Sequence, residues 1–132
     1  MAPTPHDPEE VAAWIAKADG DLRMAAAAVA LDDPLWDQAC FHSQQAAEKA
    51  LKALFVSLCA EVPRTHDLAF LVERLTAHTL VDSEITGHAN AIGHFSVSPR
   101  YPSLLDSETE QEARDALSRA QEIVDWVKRT LR

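Results

Sequence analysis

The chain has 132 residues, of which 47% are hydrophobic and 25% are charged, and this size and balance are typical of one globular domain. The formal net charge of −9 opposes long-range attraction to nucleic acid, because a phosphate backbone is bound mainly by clustered lysine and arginine side chains. No apolar run reaches the roughly 18 residues of a transmembrane-helix candidate, so we expect no membrane-spanning segment.

The composition favours helices. Glycine occurs only three times, and alanine dominates the apolar residues. Few glycines leave few positions that need a positive φ, whereas many alanines give high helix propensity and close helix contacts. Residues 1–8 lack the basic and apolar regions of a signal peptide. We interpret them as a flexible leader to an all-α domain over residues 9–132, and we expect a cytoplasmic location.

The first predicted helix starts at Asp7 and Pro8. Asp7 can cap the helix, Pro8 fits the first helical position, and Glu10 completes a spacing like that of a capping box. Gly20 lies inside the helical pattern. The apolar residues that follow alternate by three and four and form one buried stripe: Val11, Ile15, Ala18, Leu22, Ala25 and Val29.

The second predicted helix is the longest, at about residues 35–60. Asp32, Asp33 and Pro34 repeat the start signal after a very short turn. Its buried stripe is Trp36, Cys40, Gln44, Ala47, Leu51, Leu54 and Leu58. A short connection between two long helices favours an antiparallel hairpin, and the second half of the chain completes an up-and-down bundle of about five helices.

Three shorter signals divide the second half of the chain. Thr65 can cap a third helix with a buried face at Leu68, Leu71, Val72 and Leu75. A fourth helix should follow Asp82 or Ser83, with Ile85, Ala89, Ile92 and Phe95 facing inward. Residues 96–105 read as a loop, and residues 107–110 read as the capping box of a last helix. The last buried stripe is Ala113, Leu117, Ala120, Val124, Val127 and Leu131.

The two cysteines are predicted to be buried, reduced thiols. Cys40 and Cys59 are 19 positions apart within one predicted helix, which separates them by roughly 28 Å. They therefore cannot form a disulfide with each other while that helix is intact.

A polar stripe on the second helix is the first candidate site. His42, Gln45, Lys49 and Lys52 are spaced three, four and three residues apart and share one face. Such a face could hold an anion or a base. The residues alone favour the simpler interpretation, a solvated face on which Glu48 and Lys52 pair. Gln44 lies instead on the apolar stripe, where a buried amide needs partners, and joining helices is its more common use.

Two loops provide the other candidates. If Thr65 caps the third helix, free N–H groups lie near Arg64 and His66 and form a ready anion site. Alternatively, Thr65 only caps and Asp67 only complements the helix dipole. Arg100 and Tyr101 lie between two prolines that restrict the backbone, which suits a binding site as well as simple packing. The phenol of Tyr101 could also accept a covalently attached nucleotide.

The histidines do not predict a metal site. His66, His78, His88 and His94 show neither the four-residue spacing of a two-histidine helical site nor an accompanying cysteine pair. We therefore predict no metal and no other cofactor, and we interpret His88 as a core histidine with a hydrogen-bond partner.

Residues 41–54, with the sequence FHSQQAAEKALKAL, resemble the central motif of the HEPN family (higher eukaryotes and prokaryotes nucleotide-binding). Residues 65–68 and 100–102 match its later motifs in the expected order. The resemblance implies a helical bundle that commonly forms a homodimer. It also implies a partner, a minimal nucleotidyltransferase, in a two-component module like a toxin and its antitoxin.

Many HEPN proteins are metal-independent ribonucleases with an arginine, four to six residues, and then a histidine. In those enzymes histidine can handle the 2′-OH proton while arginine stabilises the developing phosphorane charge. No arginine of this chain is followed by a histidine at that spacing, since Arg74 and His78 have only three residues between them and Arg64 and His66 only one. The missing motif argues against catalysis.

Three hypotheses follow. The first is a dimeric HEPN protein that binds a nucleotide or RNA beside a nucleotidyltransferase, through His42, Gln45, Lys49, Lys52, His66, Arg100 and Tyr101. The second is a ribonuclease toxin with a degenerate site, formed by His66 with Arg64 or Arg100. The third is a non-catalytic bundle whose polar stripe only binds a partner protein.

Overall fold

The computed structural model describes residues 7–96 and 108–132, and helices account for most of them. A short 3₁₀ helix at Gly93–Ser96 continues the fourth α-helix, and the described residues contain no strand. The prediction of an all-α bundle of about five helices is confirmed. The α-helices are α1 (Pro8–Ala30), α2 (Trp36–Ser57), α3 (Leu68–Leu75), α4 (Ser83–Ile92) and α5 (Glu110–Thr130).

The first two helices form the predicted antiparallel hairpin. The Asp7 carboxylate accepts a hydrogen bond from the Glu9 amide (2.9 Å), and Pro8 opens α1 as predicted. The connection to α2 is closed by the Leu35 amide, which donates to the Ala28 carbonyl (3.0 Å). Buried alanines on both helices leave room for close backbone approach: Ala18, Ala25, Ala28, Ala39, Ala46, Ala47, Ala50 and Ala53.

Helix α2 is the centre of the bundle, because α1, α5, α3 and α4 all pack against it. Each large aliphatic side chain that is fully buried contributes about 1.5–3 kcal/mol to folding. The largest fully buried side chains include Leu51, Leu54, Phe55, Leu68, Leu71, Leu75, Ile92, Ile123, Val124 and Val127.

The described helices include none that is long and apolar enough to cross a membrane.

The end of α2 corrects the prediction for the cysteines. The helix ends at Ser57, and Cys59 adopts a left-handed φ of 56° just beyond it. The amides of Cys59 and Ala60 donate to the carbonyls of Val56 and Phe55, each at 3.0 Å, which is the hydrogen-bond pattern of a Schellman motif. Both thiols are free, but only Cys40 is buried, whereas Cys59 is exposed and lies outside the helix.

Two predicted helix caps are also wrong. Helix α3 is capped by Asp67, whose carboxylate accepts from the Phe70 amide (3.2 Å). Thr65 instead accepts from the Asp67 amide (3.1 Å) in a local turn. The capping box of α5 joins Thr109 and Glu112, two residues later than the box predicted at residues 107–110. Helix α4 follows Asp82, and its predicted inward residues are buried.

The predicted leader and the loop at residues 96–105 lie almost entirely outside the described residues. Only Asp7, Pro8 and Ser96 of these two segments are described, and Pro8 already belongs to α1. The division into a leader and one domain therefore stays a prediction.

Candidate ligand-binding site

Two carboxylates are buried at the junction of α1, α2 and the segment before α3. Asp21 on α1 is 8% exposed, and Glu48 on α2 is 3% exposed. Burying a charge is costly unless it is paired and hydrogen-bonded. Each carboxylate here is paired with one lysine ammonium and one histidine ring, so the structure meets this requirement twice.

The first group, which we call the Asp21 triad, consists of Asp21, His42 and Lys49. The His42 Nδ1 atom lies 2.8 Å from Asp21 Oδ1, and the Lys49 ammonium donates to Asp21 Oδ2. His42 and Lys49 are seven residues apart on α2, which is about two helical turns. Both side chains can therefore reach one carboxylate on α1, and the triad joins the two helices of the hairpin.

The second group, the Glu48 triad, consists of Glu48, Lys52 and His66. The Lys52 Nζ atom donates to Glu48 Oε2 (3.1 Å), and His66 Nδ1 lies 2.9 Å from Glu48 Oε1. The Lys52 ammonium also lies 5.9 Å from the ring centroid of Trp14 on α1. Glu48 and Lys52 therefore pair as predicted, but Lys52 is only 8% exposed, so the prediction that this face is solvated is wrong.

Gln44 joins the segment before α3 to α2. Its side chain is fully buried, and its Nε2 atom donates to the His66 carbonyl (2.8 Å). Gln45 in turn donates to Gln44 Oε1 (2.7 Å). The prediction that Gln44 serves to join elements is confirmed. Since Glu48 holds the ring of His66 and Gln44 holds its backbone, His66 is fixed at two points from α2.

The two triads carry no excess positive charge. Their two carboxylates balance the two lysine ammonium groups when the histidines are neutral. The stripe predicted from His42, Gln45, Lys49 and Lys52 does share one side of α2, but its cations already have partners. Likewise, the carboxylate of Asp67 occupies the start of α3, where an anion site was one of the two interpretations of the sequence.

The His66 side chain remains exposed although it is held. Its side chain is 71% exposed, compared with 22% for His42 and 25% for Lys49. A buried carboxylate that orients an accessible imidazole is the arrangement that fixes a histidine for proton transfer or ligand binding. Of these three side chains, His66 is therefore the one that a ligand can most easily reach.

An open groove of about 970 Å³ is lined by chain neighbours of His66, namely Arg64, Thr65 and Asp67, although His66 itself is not one of its lining residues. Its walls come from the end of α2, the connection after it and the outer face of α3. Phe70 is 41% exposed, and the Arg74 guanidinium lies 5.6 Å from its ring centroid. Arg64 also lines the groove, beside His66 in the chain. The carboxylates that line the groove outnumber these two arginines by one: Glu61, Asp67 and Glu73.

The sequence analysis missed Asp21 and the burial of Glu48, although a signal for both was present. Asp21 lies three residues after Ala18 and four before Ala25, and Glu48 lies four after Gln44 and three before Leu51. A carboxylate at such a position lies on the buried stripe of its helix. The predicted binding residues Arg100 and Tyr101 lie outside the described residues.

The remaining histidines have other surroundings. Among the described residues, no group of three histidine, cysteine, aspartate or glutamate side chains could hold a metal ion. His88 is partly buried between α4 and α5, where its Nδ1 atom lies 3.1 Å from the Arg119 guanidinium. This contact agrees with the prediction that His88 has a hydrogen-bond partner in the fold.

Comparison with known proteins agrees with this architecture. The protein TT1696 from Thermus thermophilus is 29% identical, with a TM-score of 0.79 over 91% of this chain and 97% of that one. The archaeal HEPN homologue ST0689 is also 29% identical, with a TM-score of 0.75 over 93% and 98%.

An HEPN domain protein from Thermotoga maritima shares the fold, at 24% identity and a TM-score of 0.72 over 90% of this chain and 97% of that one. No curated protein matched the sequence. The family model for the HEPN domain matches residues 11–130, which include all of α2 to α5 and most of α1. Since this match spans most of the chain, the protein belongs to the HEPN domain family.

Proposed function

We propose that this HEPN protein forms a dimer, binds a nucleotide or an RNA end, and works beside a minimal nucleotidyltransferase in a module resembling a toxin and antitoxin. The observation that carries the ligand part is His66. Its ring is exposed, yet a buried carboxylate and a buried amide hold it in place. An exposed side chain ordinarily keeps its rotamer freedom, and holding it in advance lowers the entropy cost of binding.

The groove lined by the chain neighbours of His66 favours a small ligand over a long nucleic acid. A continuous phosphate backbone needs an excess of cations, whereas the carboxylates here outnumber the arginines. One phosphate group can still be met by Arg64 or Arg74, and the exposed ring of Phe70 can stack with a base. These features fit a single nucleotide or the end of an RNA strand.

The dimer and the nucleotidyltransferase partner rest on the family. The formal charge of −9 supports a protein partner, because an acidic surface attracts a basic protein face and repels bare RNA. Light scattering of the purified protein would give the mass of a dimer under this proposal. Co-expression with a minimal nucleotidyltransferase, if one is encoded nearby, would give a stable complex under this proposal.

Calorimetry with ATP, GTP and a short RNA tests the ligand part. We expect measurable binding of at least one of them, and at least a tenfold loss of affinity in His66→Ala. The matched control is His94→Ala, which removes another exposed histidine at the 3₁₀ helix after α4, and affinity should not change. If a folded dimer binds none of the three ligands, the ligand part is wrong.

A ribonuclease with a degenerate site is the second candidate, and the Glu48–His66 contact favours it. A carboxylate that orients a histidine supports general base catalysis. The nearest arginine in the chain is the exposed Arg64, two residues before His66, and it would stabilise the developing negative charge. Incubating total RNA with the wild type and with His66→Ala separates the two candidates. Equal and complete survival of the RNA in both would exclude the ribonuclease.

The interaction-bundle hypothesis is a third outcome of the same experiments. If no nucleotide binds and the partner co-purifies less well with Lys49→Ala or Lys52→Ala, the polar stripe serves the protein interface; if co-purification is unchanged, the stripe serves only the fold. Lys52 is nearly buried, so its alanine variant must first be shown to fold.

A further inference from the structure

The two triads share one hydrogen-bond geometry. In each, one carboxylate oxygen faces a lysine ammonium and the other faces the Nδ1 atom of a histidine. A carboxylate can only accept hydrogen bonds, and an ammonium can only donate them. A neutral histidine in this position must therefore carry its proton on Nδ1, which leaves an unprotonated Nε2 atom with a lone pair.

We infer that Glu48 and Asp21 are positioning residues that hold His66 and His42 as Nδ1–H tautomers, and that the Nε2 atom of the exposed His66 accepts a hydrogen bond from a ligand. This inference rests on the proposed function, since it states how the same site takes its ligand. A phosphate oxygen cannot supply a hydrogen bond to such an atom, but a sugar hydroxyl or an exocyclic amine can. The geometry points to recognition of the nucleoside rather than the phosphate.

The surroundings of both rings support this assignment. Within residues 7–96 and 108–132, neither Nε2 atom has a hydrogen-bond partner, and the His66 side chain is 71% exposed. The carboxylate of Glu48 cannot simply turn away from His66, because Lys52 holds its other oxygen beside Trp14. Gln44 holds the backbone of His66, so the ring stays near Glu48.

Replacing Glu48 with glutamine gives a sharp test. The Lys52 ammonium only donates, so the amide oxygen of Glu48→Gln must face Lys52 and its NH₂ group must face His66. The Nδ1 atom must then accept, and the His66 tautomer inverts to Nε2–H. The ¹⁵N chemical shifts of the two ring nitrogens report this inversion at about pH 8.5, where imidazole side chains are ordinarily neutral.

Two further variants separate this mechanism from a general disturbance of the site. In Lys52→Met the carboxylate stays, so His66 should keep its proton on Nδ1. In the double variant Glu48→Gln/Lys52→Met no ammonium fixes the glutamine amide. The amide can turn, so it should no longer force His66 into the Nε2–H tautomer. The matched variant Asp21→Asn should invert His42 and leave His66 unchanged, and it still tests the inference if Glu48→Gln does not fold.

The wild-type spectrum alone can overturn the inference. Rings found as Nε2–H, or as a mixture of both tautomers, would contradict it, as would a folded Glu48→Gln protein with an unchanged His66 spectrum. These measurements need no ligand, so their failure is distinct from a failure of nucleotide binding.

Ligand analogues then identify the donor group. If ATP binds, 2′-deoxy-ATP lacks the 2′-hydroxyl and inosine triphosphate lacks the exocyclic amine. If one analogue binds the wild type at least tenfold more weakly than ATP, and this difference in affinity disappears in Glu48→Gln, the group missing from that analogue is the donor to His66. Equal affinity for all three would contradict recognition of either group through Nε2.

Discussion

The buried ion pair between Glu48 and Lys52 offers a quantitative test of the site's energetics. The two side chains are 4% and 10% exposed, and the pair measures 3.1 Å from Nζ to Oε2. Removing one partner of a buried pair leaves an uncompensated charge, and this costs about 3–5 kcal/mol. Replacing both partners with neutral groups of similar size is often nearly neutral.

The two single variants should not cost the same. Glu48→Gln leaves the Lys52 ammonium without a counter-ion, so we expect a loss of about 3 kcal/mol in the free energy of unfolding. Lys52→Met leaves Glu48 with His66 as a remaining partner, so about 1–2 kcal/mol should be lost. The double variant should lose only about 1–2 kcal/mol, which gives a coupling energy of about 2–4 kcal/mol.

Urea unfolding of the wild type, the two single variants and the double variant at pH 7 measures these values. The comparison requires that the free energy of unfolding falls with urea concentration at the same slope in all four proteins. The exposed pair of Arg114 and Glu110 on α5 is a matched control, since it has the same four-residue spacing. Its side chains are 57% and 59% exposed, so its coupling energy should stay below about 0.5 kcal/mol. Additive losses at Glu48 and Lys52, or equal coupling in the two pairs, would refute this reasoning.

Three other predictions follow from single residues. Cys59→Gly should stabilise the protein by about 0.5–1 kcal/mol, because glycine adopts the left-handed φ of 56° without strain, as urea unfolding would show. A hydrogen bond to Asp37, together with burial, raises the pKa of Glu108 from 4.5 to about 7. The protonated Glu108 therefore stabilises the folded protein fully below pH 4.5, and this contribution is lost as the pH rises through 7. Glu108→Gln should therefore have the higher melting temperature at pH 8 but not at pH 4. Finally, burial and nearby carboxylates raise the pKa of the Cys40 thiol to about 12, so a thiol reagent should label only the exposed Cys59 in the folded protein.

Each of these predictions has an internal control. Cys59→Ala removes the thiol but keeps the β-carbon, so it should give no comparable gain, and an equal gain would contradict the backbone argument. If the melting temperatures of the wild type and Glu108→Gln differ by the same amount at pH 4 and pH 8, the titration assigned to Glu108 is wrong. Labelling in urea should modify both thiols, whereas rapid modification of both in the folded protein would contradict the burial of Cys40.

Local signals predicted the helices well but some of their ends poorly. The predicted starts of α1 and α4 were correct, because each stands next to a clear apolar pattern. Asp7 caps α1 through its side chain, whereas Asp82 makes no side-chain cap hydrogen bond at α4. The caps of α3 and α5 were displaced by two residues, since Thr65 and Asp67, or Ser107 and Thr109, offer equivalent capping side chains. Only the packing of the helix that follows decides between two such neighbours.

The candidate site was predicted in part. The spacing of His42, Gln45, Lys49 and Lys52 correctly placed polar groups on one side of α2, and the position of Gln44 correctly predicted a joining role. The pairing of Glu48 with Lys52 was also predicted correctly from its four-residue spacing. The partner of His42 and Lys49 was not predictable, because Asp21 lies 21 and 28 residues from them and helical spacing carries no information across that distance.

The sequence by itself determined that this chain is an all-α bundle, since apolar periodicity and helix propensity act between residues only a few positions apart. It also carried the motifs that identify the HEPN family. Only the tertiary structure decided that the lysines of the polar stripe are neutralised and that His66 is held yet exposed. Those properties depend on which carboxylate lies within hydrogen-bond distance of each lysine or histidine, and on how far each side chain stays exposed to solvent. Both are fixed only when α1, α2 and the segment before α3 pack together.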